Sequence, residues 1–361
     1  MRKTRISLFV ITVLLISIGI VMIYSSSAVY AYERFGESFY FLERHLLYLT
    51  IGFFATLAVM GVDYRTIRKY NKLILLVSLV LLVLVLIPAL SREAGGARRW
   101  LRFWKFGFQP SEAVKLALVF YMADILSRRQ SQIKSFFHGF LPPVVLLGGV
   151  VGLILLQPDL GTALLIAAIG VVMFFASGIK LSHIFGTFLV SLPILYCLIF
   201  NIAYRKNRIL TFLNPWSDPR GSGFQMVQSY LALGCGGLLG VGLGHSEQKL
   251  FYLPASHTDF IFSIIGEELG LFGTASVVIL FGLFVWQGMK ISVHASEVFG
   301  QLLAIGIVSL VGLEAIINIG VSTGFLPTKG LPLPFISYGG TSLVFKMMSV
   351  GLLLNVGKDI Q

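Results

Sequence analysis

Residues 139–178 read GFLPPVVLLGGVVGLILLQPDLGTALLIAAIGVVMFFASG, two long apolar runs separated by Gln157-Pro158-Asp159. Each run approaches the about 20 residues that a helix needs to cross the hydrocarbon core of a bilayer. Neither shows the period-2 alternation of a membrane β-barrel strand. This stretch therefore predicts two transmembrane helices joined by a short polar turn.

The rest of the chain repeats this pattern. Of its 361 residues, 56% are hydrophobic and 12% are charged, and the mean hydropathy is +0.87. A soluble chain of this length cannot bury so much apolar surface, so lipid must surround most of it. We predict an all-α polytopic membrane protein, one membrane domain over residues 1–361, with about ten spans near 6–27, 46–63, 73–90, 112–127, 139–156, 160–178, 184–203, 260–287, 299–323 and 341–357.

The distribution of charge sets the orientation. Arg2, Lys3 and Arg5 precede the first span, which predicts a cytoplasmic N-terminus and, with ten spans, a cytoplasmic C-terminus. The positive-inside tendency should deplete the outer loops of cations, yet these loops hold a large share of the 28 basic residues. An anionic ligand handled at the outer face explains the excess, and anchoring to lipid head groups is the alternative. The outer cations are Arg34, Arg44, Arg92, Arg98, Arg99, Arg102, Lys105, Arg205, Lys206, Arg208, Arg220, Lys249 and Lys329.

One outer loop, about 204–259 between helices 7 and 8, is far longer than the others. Long structured loops are usually functional. Its tract Gly234–Gly244 is apolar and glycine-rich, which predicts a re-entrant or amphipathic element at the membrane surface. The sequence has no Walker loop and no zinc-ligand spacing, which argues against an ATP-driven pump and a zinc site.

The segment Leu253–Phe262 ends this loop and carries one carboxylate, Asp259, at the mouth of the eighth span. Water, a lipid head group and a low-dielectric wall meet at such a position. A carboxylate there serves as a general base or a cation ligand, and the alternative is an N-cap of the following helix.

Several motifs are spread along the chain: Gly96–Trp100, Gln109–Glu112 with Lys115, Gln157–Thr162, Asn214-Pro215, Gly221–Gln225 with Gln228-Ser229, His257–Phe260 and Gly324–Gly340. Together they resemble the SEDS (FtsW/RodA) family of bacterial cell-wall synthesis proteins, over essentially the whole chain. The Thr328-Lys329-Gly330 and Gly266–Gly270 segments look more like the division branch, FtsW, than the elongation branch.

This resemblance implies a peptidoglycan glycosyltransferase that polymerises lipid II on the outer face of the bacterial plasma membrane, at the division septum. It also implies a class B penicillin-binding protein as partner, together with other membrane proteins of the division machinery. The lipid bilayer is the surrounding medium, and no nucleic-acid partner is expected.

The resemblance also implies roles for single residues. Asp259 matches the essential carboxylate, as general base or as ligand of a divalent cation, Mg²⁺ or Mn²⁺. We expect Arg99, Arg102 and Lys115 to contact phosphate, with pairing to Glu93 or Glu112 as the alternative. Lys329, Ser337 and His257 are further candidates for substrate binding. Lys329 is expected to line the cavity, with a loop anchor as the alternative, and His257 to orient its neighbours. Ser337 would let the backbone approach a sugar closely, or would shape the turn into the last span. Asp159 is expected to cap the helix that follows it.

Two other functions remain open from the sequence: a lipid II flippase and a scaffold without catalysis. A flippase needs polar groups through the full thickness of the membrane, whereas the inner half of most spans is apolar. The last two spans carry Glu314 and Lys346, and each charge would cost about 2.5–3.5 kcal/mol unpaired at mid-bilayer. We therefore expect these two side chains to pair.

Overall fold

The computed structural model describes residues 2–94, 97–103, 106–250, 252–254 and 256–359. Within them the chain forms thirteen α-helices. These are α1 Arg2–Phe35, α2 Tyr40–Gly61, α3 Tyr64–Arg68, α4 Asn71–Leu84, α5 Pro110–Arg128, α6 Leu141–Leu155, α7 Leu160–Ala176, α8 Leu181–Phe200, α9 Ala203–Leu213, α10 Phe224–Gly236, α11 Ile261–His294, α12 Val298–Ser322 and α13 Gly340–Val356.

Each of the ten predicted spans coincides with one helix. In the described residues six helices are long and apolar enough to cross a membrane: α1, α2, α6 with the π-helical turn before it, α8, α11 and α12. Three shorter apolar helices, α4, α7 and α13, match three more spans. The tenth span is α5, which is more polar because it carries Glu112, Lys115 and Asp124. The predicted all-α polytopic fold is confirmed.

Helices α5 and α12 form the centre of the bundle. They pack against each other, and α12 also contacts α7 and α11, while α13 packs along α2. Almost the whole length of α5 is buried, polar residues included. By contrast α8 has no buried residue, so most of its apolar side chains face lipid. The buried charges of α5 therefore need partners within the protein.

The segment between α4 and α5 holds a small antiparallel sheet that was not predicted from the sequence. Strands β1 (Ser91–Ala94), β2 (Ala97–Phe103) and β3 (Phe106–Phe108) follow in the order β1-β2-β3. Leu101 pairs with Ser91 on one side and with Phe108 on the other. The sheet gives the arginine-rich segment a fixed backbone, which positions Arg99.

The long outer loop contains two helices and a bent glycine tract. After α10 the chain turns back at Gly237 and runs beside α11, which is broken at Gly270. Val241 N donates to Glu267 O at 2.9 Å, and Leu271 N donates to Gly237 O at 2.9 Å. The tract thus satisfies backbone groups that the break leaves without helical partners, as irregular backbone at membrane depth requires.

Glycine is required where these two segments touch. Gly240 has φ +81° and Gly270 has φ +66°, a region that favours glycine. A Cβ on Gly240 would lie 2.2 Å from the carbonyl oxygen of Glu268, and one on Gly270 would lie 2.4 Å from Gly240 N. Side chains at these positions would separate the loop from α11.

Candidate active site at the outer mouth of the bundle

Asp259 lies two residues before α11, in a segment that α12 holds in place. Asn318 of α12 donates its Nδ2 to Asp259 O at 2.8 Å and to Leu331 O at 2.7 Å, so one amide ties two outer loops together. The N-cap position of α11 is Phe260, and no side chain caps it. The Asp259 carboxylate is therefore not used as a helix cap.

The groups around Asp259 have opposite effects on the pKa of its carboxyl group. Burial raises the pKa of its carboxyl group to about 6, and Asp159 acts in the same direction, while Arg208 and Arg99 lower the pKa. The backbone of the loop 323–339 lies directly against it: a Cβ on Gly330 would be 3.0 Å from Asp259 Oδ2. The result is a half-buried carboxylate with a pKa near the operating pH of a general base.

Arg99 and Asp159 form the second part of the site. Arg99 Nη2 donates to Pro158 O at 2.6 Å, and its Nε lies 3.7 Å from Asp159 Oδ2. Asp159 accepts hydrogen bonds from Thr162 N at 3.1 Å and Thr162 Oγ1 at 2.9 Å, so it caps α7 as predicted. The strand β2 is thereby fastened to the start of α7.

Arg208, on α9, is a site residue that the sequence placed only among the outer cations. Its Nη1 donates to Thr328 O at 3.2 Å, and its guanidinium lies over the ring of Tyr204, 4.5 Å from the centroid. It also lowers the pKa of Asp259. The signal was the run Tyr204–Arg208, but nothing in the sequence distinguishes Arg208 from Arg205 and Lys206.

Lys329 completes the arrangement. It is half-buried, and burial lowers the pKa of its ammonium. A Cβ on Gly161 would lie 3.6 Å from Lys329 Cβ and 3.7 Å from Asp159 Oδ1, which places Lys329 beside the start of α7. We call Asp259, Asp159, Arg99, Arg208 and Lys329 the outer charged cluster; its three cations and two carboxylates leave a net charge of +1 when all are ionised.

His257 and Ser337 lie beside the cluster and hold its two loops together. The His257 ring packs 4.6 Å from the ring of Phe41 and 6.0 Å from that of Tyr338, and burial lowers its pKa to about 4, so it is neutral. Ser337 Oγ donates to Thr258 O at 2.5 Å and accepts from Leu333 N at 2.8 Å. Both residues join the loop 323–339 to the Asp259 segment.

Lys115 is not brought to the outer charged cluster, which corrects the expectation that it contacts phosphate there. Its ammonium is buried and bonded to Glu112 Oε1 at 2.7 Å and to Glu314 Oε1. Lys346 lies 2.7 Å from Glu314 Oε2 and 3.7 Å from Glu112 Oε2. The predicted Glu314–Lys346 pair is confirmed, and it belongs to a buried quartet with no net charge.

Arg102 lies on β2, where its backbone pairs with Gly107, but its side chain falls outside the described part of the structure.

Few protein side chains in the site could act as ligands of a divalent cation. In the described residues no three His, Cys, Asp or Glu side chains are grouped to hold a metal ion. Asp259 and Asp159 are two nearby carboxylates, which fits a cation only if substrate phosphates supply further oxygens.

In the described residues, apolar helices that match the predicted spans surround a charged mouth, and this arrangement defines a polytopic membrane protein. The chain belongs to the FtsW/RodA/SpoVE family, whose model, described as a cell cycle protein, matches residues 5–361. The resemblance predicted from the motifs is confirmed, and the identities below place the chain with the division type.

Curated relatives cover nearly the whole chain. A protein of Geobacter metallireducens named "Probable peptidoglycan glycosyltransferase FtsW" is 48% identical over 349 residues, 97% of this chain and 93% of the relative. Stage V sporulation protein E of Bacillus subtilis is 44% identical over 351 residues, 97% of this chain and 96% of the relative.

Solved structures share the fold. A chain from a structure described as "Structural coordination of polymerization and crosslinking by a peptidoglycan synthase complex" superposes with a TM-score of 0.80 at 30% identity, covering 98% of this chain and 97% of the other. The rod shape determining protein RodA of Thermus thermophilus gives a TM-score of 0.73 at 27% identity, with 98% and 96% covered.

Proposed function

We propose that this protein polymerises lipid II into glycan strands at the outer face of the membrane, with the outer charged cluster as its active site. The observation that carries the proposal is a half-buried carboxylate, Asp259, with a pKa raised to about 6 and two cations, Arg99 and Arg208, acting on it. The enzyme is a peptidoglycan glycosyltransferase of septal cell-wall synthesis, as its family and the names of its relatives support.

Asp259 acts as the general base. Strand extension requires a sugar hydroxyl to attack the anomeric carbon of a second lipid-linked sugar while the lipid pyrophosphate leaves. The donor is α-linked and the product β-linked, so one in-line displacement with inversion suffices. The carboxylate takes the hydroxyl proton as the new bond forms, and a pKa of about 6 makes it a stronger base than an ordinary aspartate.

Arg99, Arg208 and Lys329 hold the leaving pyrophosphate. Guanidinium groups bind phosphate oxygens through two parallel N–H donors, and a lysine ammonium adds a point charge. Arg99 and Arg208 now donate mainly to the backbone carbonyls of Pro158 and Thr328, so they are already oriented before substrate arrives. Such preorganised charge stabilises the negative charge that develops in the transition state.

A divalent cation, Mg²⁺ or Mn²⁺, fits beside these groups. If Asp259 is a cation ligand instead of the base, Asp259 and Asp159 would hold the cation together with pyrophosphate oxygens, and the cation would neutralise negative charge on the leaving group. Chelation followed by stepwise return of Mn²⁺ tests the requirement, and full activity of the chelated protein would contradict it.

The similar proteins also support two kinds of protein partner. The likeness to a chain of a peptidoglycan synthase complex supports a class B penicillin-binding protein as the crosslinking partner. The division-type relatives support a place among the membrane proteins of the septum, in the bacterial plasma membrane.

The flippase alternative needs a polar route across the bilayer. The buried charges of the bundle are instead engaged with one another, as in the quartet of Glu112, Lys115, Glu314 and Lys346 and in the pair Lys249–Glu268. A scaffold without catalysis would not need a half-buried carboxylate with a raised pKa at Asp259. Both observations favour the transferase.

The experiment is lipid II polymerisation by the purified protein, alone and with its cognate transpeptidase, comparing wild type with Asp259→Ala. Glycan strands from the wild type and none from a folded mutant are the expected result. Equal activity of both proteins contradicts the role of Asp259. Absence of strands from the wild type even with its partner contradicts the transferase, and lipid II translocation into vesicles then tests the flippase.

A further inference from the structure

A cavity of about 570 Å³ lies between α1 and residues 243–250, apart from the outer charged cluster. Its volume is in the range of sites for small ligands. Apolar side chains, among them Val21, Ala28 and Leu250, form its walls, while Ser25, Glu247 and Lys249 supply polar groups. No step of the proposed reaction uses it.

Lys249 offers the cavity a hydrogen-bond donor. The residue is buried, and its ammonium lies 2.7 Å from Glu268 Oε1 and 3.2 Å from Ser25 Oγ. A lysine ammonium has three N–H groups. Within the described residues these two partners leave one N–H for the cavity that Lys249 lines. An oxygen acceptor, such as a phosphate, suits it.

Glu247 offers the opposite charge. It lies two residues before Lys249, lines the same cavity and is exposed. Glu247 is the one acidic residue among the described residues that line the cavity, so it is the carboxylate that can meet a ligand there. A ligand that carries both a phosphate and an ammonium complements this pair of charges.

The walls of the cavity include exposed apolar side chains. Val21 is 50% exposed and Leu250 is 42% exposed, on a helix and a loop that lie at the membrane. Ser25 lies near the outer end of the first predicted span, 6–27, about 35 Å along α1 from its start at a rise of about 1.5 Å per residue. Apolar walls and charged groups at the end of a membrane span suit a lipid with a charged head group.

We propose that this cavity binds phosphatidylethanolamine, with its phosphate on Lys249, its ammonium on Glu247 and an acyl chain along Val21 and Ala28. The lipid would also brace the segment that continues to Asp259, because the loop 243–250 leads directly into it.

The experiment uses the full-length protein reconstituted in nanodiscs with equal amounts of phosphatidylethanolamine, phosphatidylglycerol and phosphatidylcholine. Lipids that remain bound after transfer to detergent are quantified by mass spectrometry. We expect phosphatidylethanolamine to exceed phosphatidylcholine about tenfold, since its ammonium can donate a charge-assisted hydrogen bond and a quaternary ammonium cannot.

Two variants localise the binding. Ala28→Phe fills the cavity and should remove the retained lipid, whereas the matched control Ala58→Phe, on the exposed face of α2, should keep it. Glu247→Gln changes an exposed residue and should abolish the preference over phosphatidylcholine while lipid is still retained. Retained lipid in bulk proportions, a preference for phosphatidylglycerol, or equal retention by Ala28→Phe and Ala58→Phe would overturn the proposal.

Discussion

Arg99 places its Nε 3.7 Å from a carboxylate oxygen of Asp159, and the same guanidinium lowers the pKa of Asp259. One cation therefore serves both carboxylates of the outer charged cluster. A pyrophosphate bound to Arg99 would partly neutralise the positive charge that lowers the pKa of Asp259. The pKa of Asp259 would therefore rise when substrate is bound, which is when this carboxylate must accept a proton. Substrate binding and base strength are coupled by this contact.

The first prediction concerns pH. Only the ionised carboxylate of Asp259 accepts a proton, so activity should rise with pH through a midpoint near 6, the pKa of Asp259. Between pH 5 and pH 7 the ionised fraction, and with it the single-turnover rate, should increase about tenfold. Polymerisation measured at constant ionic strength checks this, and a rate that is flat across that range contradicts it.

The second prediction separates two neighbouring arginines. Arg208→Gln removes a phosphate ligand and should lower kcat about a hundredfold. It should also raise the midpoint of the pH profile, because Arg208 lowers the pKa of Asp259. Arg205→Gln is the matched control, since Arg205 donates to Leu198 O at 2.9 Å, outside the cluster. Similar losses in both variants would show that only the overall charge of α9 matters.

The third prediction tests the fit between a loop and the base. In Gly330→Ala the new methyl group would lie 3.0 Å from Asp259 Oδ2 and must displace the carboxylate. We expect kcat to fall about tenfold with little change in melting temperature, because catalytic geometry is sensitive to small displacements. Gly149→Ala, where a Cβ meets no atom within 4 Å, is the control. Full activity of Gly330→Ala would contradict the position of this loop.

The fourth prediction concerns the buried quartet. Glu314→Gln alone leaves Lys115 and Lys346 with one carboxylate, Glu112, and should destabilise the protein by about 3–5 kcal/mol. Combining it with Lys346→Ala restores charge balance, so stability should largely recover. Thermal unfolding in detergent measures both. Equal damage in the single and double variants would show that the two charges do not depend on each other.

The spans and the position of Asp259 could be predicted from the sequence because both are local signals. An uninterrupted apolar run of this length is typical of a membrane helix, and Asp259 is the only carboxylate of its segment. The sheet was missed because three short strands with several arginines resemble a polar loop. The sequence does not reveal that Lys115 pairs with Glu314, because the two residues lie 199 positions apart in the chain and such pairs have no local pattern.

Arg208 was missed for a related reason. It was counted with the outer cations, but its contact with Thr328 O joins two segments far apart in the chain. The sequence indicated that cations gather outside, and only the fold shows which of them reach Asp259.

The most direct test of Asp259 as the base separates binding from chemistry. Lipid II affinity and the single-turnover rate of glycosidic bond formation should be measured on wild type and Asp259→Asn, which keeps the size of the side chain. We predict affinity within about threefold of wild type and a rate lower by at least about a hundredfold, the usual scale of general base catalysis. An Asn variant that binds lipid II and forms the bond at the wild-type rate would contradict the role of Asp259 as the base.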